Sequence, residues 1–78
     1  MRQYDFTELL AYFAGDGWAL VEDIESDGGR DYYYIADDQA EAHVRVEAGR
    51  VRVTINDEVR FSGSLDEEPA RLYVKRNA

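Results

Sequence analysis

Seventy-eight residues suffice for one small domain and not for two. The chain has no cysteine, which excludes disulfides, thiolate zinc sites and thiol redox chemistry. Seventeen acidic residues against nine basic ones give a formal charge of -8, which favours solubility and opposes non-specific binding to nucleic acid.

The bases are eight arginines and one lysine, Lys75, and acidity with scarce lysine also suits a high-salt cytoplasm. No apolar run approaches the roughly 20 residues of a membrane span. The opening Met1-Arg2-Gln3-Tyr4-Asp5 lacks the apolar stretch and cleavage site of a signal peptide, so the expected location is the cytoplasm. The abundance of aromatic residues, 13% of the chain, argues against disorder despite the charge.

The first element is a helix. Phe6, Leu9, Leu10 and Phe13 fall at i, i+3, i+4 and i+7, one stripe of a 3.6-residue period. Asp5 and Glu8 have the spacing of a capping box, Tyr4 and Leu9 that of a hydrophobic staple, and Gly15 offers a left-handed stop.

From Trp18 the period becomes two. Residues 18–25 read as a first strand, Asp27-Gly28-Gly29 as a turn and residues 31–36 as a second strand, followed by a polar loop over 37–41. Residues 42–47 and 50–55 alternate strictly around Ala48-Gly49, the clearest hairpin signal in the chain. Asn56-Asp57 opens a further turn into a fifth strand over 59–62. The C-terminal segment is open between two forms. Asp66-Glu67-Glu68-Pro69 resembles the cap and acidic first turn of a helix running to Lys75, whereas Leu72 and Val74 alternate as a sixth strand would.

Register follows from keeping apolar residues on one face. A two-residue Ala48-Gly49 loop pairs Val46 with Val51 and Val44 with Val53. A three-residue Asn56-Asp57-Glu58 loop pairs Ile55 with Val59 and Val53 with Phe61. The same logic assigns Trp18, Leu20, Ile24, Tyr32, Tyr34 and Ala36 to that face, where the helix stripe docks. The expected fold is therefore α+β: one domain over 1–78, with an N-terminal amphipathic helix on one face of a five-stranded antiparallel meander and a short C-terminal helix or sixth strand.

The opposite face is then expected to present Val21, Tyr33 and Ile35 beside His43, Arg45, Arg50, Arg52 and Arg60. Arg45 and Arg52 are expected opposite each other, which is unfavourable unless an anion intervenes. Glu47, opposite Arg50, is one such balance, and the C-terminal segment is one possible cover for the apolar residues.

Catalytic and metal motifs fail one by one. His43, the single histidine, lacks the second histidine or cysteine that a metal site would need. Asp23, Glu25, Asp27 and Gly28 imitate the start of a calcium loop, but its twelfth position is Tyr34 instead of glutamate. Gly28-Gly29 matches no phosphate-loop pattern, and Ser26, Ser62 and Ser64 sit in no nucleophile elbow. The sequence thus predicts no enzyme and no cofactor.

Three functional readings follow. The first is a protein-interaction module (regulator, inhibitor or small subunit) that acts on a protein partner or itself, as a homodimer. It would use the outer sheet face or a sheet edge, through Val21, Tyr33, Ile35, His43, Arg45, Arg52 and Arg60. The second is a single-stranded nucleic-acid binder with Tyr33 stacking a base and the arginines holding phosphates. The third is an acidic mimic of nucleic-acid charge built on Asp27, Asp31, Asp37, Asp38, Glu41, Asp66, Glu67 and Glu68.

Overall fold

The computed structural model describes residues 3–37 and 39–77. Asp38, counted above among the acidic loop residues, lies outside them. A short strand β1 (Gln3–Asp5) leads into helix α1 (Thr7–Ala14). Strands β2 (Ala19–Ser26), β3 (Gly29–Ile35), β4 (Glu41–Glu47), β5 (Arg50–Ile55) and β6 (Glu58–Ser64) then form an antiparallel sheet in that order. Helix α2 (Ala70–Tyr73) follows, and β7 (Lys75–Asn77) closes a separate two-stranded sheet with β1.

The stripe read from the sequence docks as its spacing requires. Phe6, Leu9 and Leu10 are buried, with Phe13 partly so, and they join Tyr32, Tyr34, Ala42, Val44, Val51, Val53 and Ile55 in one core. Fully burying a side chain of this kind contributes ~1.5–3 kcal/mol before conformational entropy is subtracted. The N-terminal turn differs in detail from a capping box. Asp5 Oδ1 accepts hydrogen bonds from the backbone N–H (2.9 Å) and the hydroxyl (2.5 Å) of Thr7. Glu8 instead pairs with Lys75 Nζ at 2.6 Å, tying α1 to β7. Gly15 ends the helix at φ 82, a region that disfavours a Cβ.

The C-terminal segment takes part of each expected form. Four residues make α2, Val74 returns to extended backbone, and β7 pairs with β1 instead of extending the large sheet. Stacking of Tyr12 on Tyr73, with centroids 5.0 Å apart, holds α2 against α1. Residues 66–77 therefore leave Val21, Tyr33 and Ile35 uncovered.

The β2–β3, β4–β5 and β5–β6 turns each have two residues with positive φ: Asp27 and Gly28 (50, 79), Ala48 and Gly49 (51, 78), and Asn56 and Asp57 (50, 66). This type I′ geometry matches the right-handed twist of the flanking strands. The central hairpin has the expected register, with Val46 opposite Val51 and Val44 opposite Val53. The two outer hairpins correct the expectation. Ser26 pairs with Gly29, so Ile24 lies opposite Asp31 and shares its face, not the core face. A shift between Leu20 and Glu22 leaves Val21 in a bulge and restores Leu20 opposite Tyr34. At the other edge Ile55 pairs with Glu58 and Thr54 with Val59, and a shift at Val53/Thr54 leaves Arg60 unpaired. Val53 still meets Phe61, as expected, but through a tight turn plus a bulge instead of a three-residue loop.

Candidate functional site: the open face of the sheet

The registers define the face opposite α1 as rows crossing the strands. One row runs Glu22, Tyr33, His43, Thr54, Val59, and the next runs Ile24, Asp31, Arg45, Arg52, Ser62. Ala19 and Ile35 pair above the first row, and Glu47 and Arg50 below the second.

At the centre is a residue the sequence reading had counted only as a strand residue and one of the acids of the charge mimic. Asp31 is 8% exposed although no described helix covers this face. Its Oδ1 lies 2.7 Å from His43 Nε2, and its Oδ2 accepts from Arg45 Nη1 at 2.9 Å and from the Ser26 hydroxyl at 3.3 Å. An ionised carboxylate only accepts, so His43 carries a proton on Nε2 in this arrangement. Burial pushes the Asp31 carboxyl up, but hydrogen bonds from His43 and Arg45 outweigh it and hold the group below the usual aspartate range. Arg45 also donates to the Ser26 carbonyl (3.1 Å) and to Glu47 Oε1 (2.8 Å from Nη2). Tyr33 stacks on the His43 ring with centroids 4.8 Å apart.

This network resolves the expected clash. Arg45 and Arg52 are indeed cross-strand partners, and the carboxylates of Asp31 and Glu47 both pair with Arg45. Glu47 turns to Arg45, leaving Arg50 and Arg52 exposed without a carboxylate partner among the described residues. With Ser62 they border a shallow concavity of about 310 Å³.

The predicted surface residues divide as follows. Tyr33, Ile35, His43, Arg45 and Arg52 share the open face, where Tyr33 and Ile35 are 38% and 49% exposed. Ile24, assigned to the core by sequence, joins them at 40% exposure. Val21 is exposed in the β2 bulge. Arg60 does not belong with them. Its bulge turns it toward the helix, where Nη2 donates to the Phe13 carbonyl at 3.0 Å and the guanidinium lies 5.8 Å from the Phe13 ring centroid.

Asp23, Glu25 and Ser26, part of the calcium-loop imitation, lie on β2, and the Asp23 carboxylate accepts from Arg30 at 2.7 Å. Among the described residues no group of three or more His, Asp or Glu side chains is placed to hold a metal ion. No described helix is long and apolar enough to cross a membrane. A signal for Asp31 was present in the sequence: once β3 and β4 are in register, an acid falls opposite Arg45 and two residues from Tyr33, the partner of His43. No protein-family model, curated protein or solved structure matches the chain.

Proposed function

We propose that the chain is a non-catalytic protein-docking module whose working surface is the open face of the large sheet. The observation that carries this reading is the exposure of Ile24, Tyr33 and Ile35 together at the β2–β3 end, on a backbone stiffened by the Asp31 network. Apolar side chains grouped on an uncovered sheet face are a feature of surfaces that bind other proteins. The hydrogen-bonding groups of Asp31 and Arg45 are engaged with one another and with neighbours, which suits a platform more than a reaction centre.

The simplest occupant is a second copy of this chain. Glu22 borders the apolar end of the face and Arg50 and Arg52 the opposite end, so a two-fold rotation lays acid against base while sheet packs on sheet. Sedimentation equilibrium over a wide concentration range tests this. A dimer weakened roughly tenfold or more by Ile35→Glu or Arg52→Glu, and recovered in part by Glu22→Arg with Arg52→Glu, is the expected result. A strict monomer at high concentration, in moderate and in high salt, removes self-association. Binding of a single-stranded oligonucleotide at low salt, abolished by Arg52→Glu, would point to nucleic acid instead.

A further inference from the structure

His43 stands at the middle of the open face. β4 is the central strand of the five, and His43 is the middle member of the row that runs from Glu22 to Val59. Glu41 precedes it by two residues on the same strand, opposite Ile35, so both side chains leave the sheet on this face. The two line one concavity of about 400 Å³ with Tyr33 and Thr54.

The two ring nitrogens of His43 have different surroundings. Nε2 donates to Asp31, whose carboxylate is itself buried and held by Arg45. Nδ1 has no hydrogen-bond partner among the described residues and is not sealed from solvent. In the neutral ring it therefore carries an accessible lone pair. A carboxylate that holds the far N–H and fixes the tautomer is the usual companion of a metal-bound imidazole. The exposed Glu41 carboxylate likewise has no partner among the described residues.

One chain offers only these two ligands, and no third His, Asp or Glu joins them among the described residues. A two-fold axis that lies in the plane of contact and passes through the centre of the face changes this. It brings His43 to its own copy, because a point on the axis meets itself. Two facing lone pairs, with a carboxylate beside each, repel one another unless a cation lies between them. Two imidazoles and two carboxylates make a four-coordinate set suited to zinc.

We propose that the open face carries half of a zinc site, which two copies of the chain complete. Nδ1 of His43 and the carboxylate of Glu41 from each copy hold one ion at the two-fold axis. The second histidine that a single chain lacks is thus supplied by the other copy. This inference rests on the reading of the face as a self-association surface.

Sedimentation equilibrium of the full chain in EDTA, and then with zinc chloride in slight excess, tests it. Zinc is expected to tighten the dimer roughly tenfold or more, with one ion taken up per two chains in a calorimetric titration. Magnesium, which prefers oxygen ligands and keeps its waters, should leave the dimer unchanged. Glu41→Gln and His43→Gln, shown to be folded by far-ultraviolet circular dichroism, should each lose most of the zinc effect relative to their own dimer in EDTA. A dimer in EDTA that zinc does not tighten overturns the metal site and leaves the docking surface standing. A chain that is monomeric in both conditions overturns both. An undiminished zinc effect in folded Glu41→Gln and His43→Gln also overturns the site.

Discussion

The guanidinium of Arg45 lies over Gly29, where a Cβ would come within 2.8 Å of Nη2 and 3.1 Å of Cζ. The same Cβ would also lie 2.8 Å from the Val46 carbonyl oxygen. Gly29 is therefore required by close approach, not by a positive φ, and its bare backbone lets Arg45 reach Asp31 and the Ser26 carbonyl. Gly29→Ala is expected to lower stability by about 1–3 kcal/mol in urea unfolding, as overpacking does. Combining it with Arg45→Ala should cost less than the sum of the two single changes. Strict additivity would mean that the two positions do not compete for space.

Asp31 ties the stability of the open face to acid pH. Its pKa in the folded chain is below the ordinary 3.8, so its contribution is intact above that value and is withdrawn as pH falls through the lowered one. Asp31→Asn is expected to cost about 1.5–3 kcal/mol at neutral pH, the range for hydrogen bonds to a charged group. It should also flatten the decline of stability below about pH 4. Some acid slope will persist, because the Thr7 hydrogen bonds lower Asp5 in the same direction. An unchanged acid limb in Asp31→Asn would contradict the assignment.

Tyr34 acts at the other end of the pH scale. Burial pushes its hydroxyl from 10.0 up to about 12, and the same oxygen accepts the Phe6 N–H at 3.1 Å. Between these two values the unfolded chain ionises first, so stability falls as pH rises, by about 2–3 kcal/mol in total. Tyr34→Phe should remove that part of the alkaline decline. At neutral pH it should cost about 1–3 kcal/mol, because the Phe6 N–H loses its acceptor. Urea unfolding followed across the alkaline range separates the two effects.

The turn after β5 carries strain that can be relieved. Asp57 sits at φ 66, a conformation glycine adopts without penalty, and Asn-Gly is a favoured pair for this turn type. Asp57→Gly is expected to raise stability by about 0.4–1 kcal/mol, read as a higher melting temperature with an unchanged far-ultraviolet spectrum. A lower melting temperature would show that the aspartate side chain contributes more than its backbone strain costs.

The open face was legible only in part. Tyr33, Ile35, His43, Arg45 and Arg52 were readable because strict alternation in residues 42–47 and 50–55 leaves one register for the central hairpin. Asp31 was read only as one acid of the charge mimic, because an acid in a strand looks solvent-exposed until its cross-strand neighbours are known. Ile24 and Arg60 were misplaced for one shared reason. Each lies in an outer hairpin whose turn has two residues where three were expected, and each of those edge strands carries a bulge that brings the core phase back. Ile24 and Val59 lie between turn and bulge, and so both apolar side chains emerge on the open face.

By itself the sequence determined the helix stripe and the buried face of β4 and β5, because apolar periodicity is local and only one phase hides those side chains from water. The phase of the edge strands was settled by the tertiary structure. Two- and three-residue turns differ little locally, and the choice depends on which one lets Trp18 and Phe61 return to a core already shaped by the central strands. That choice sent Arg60 to the helix side and brought Asp31, His43 and Arg45 together on the other.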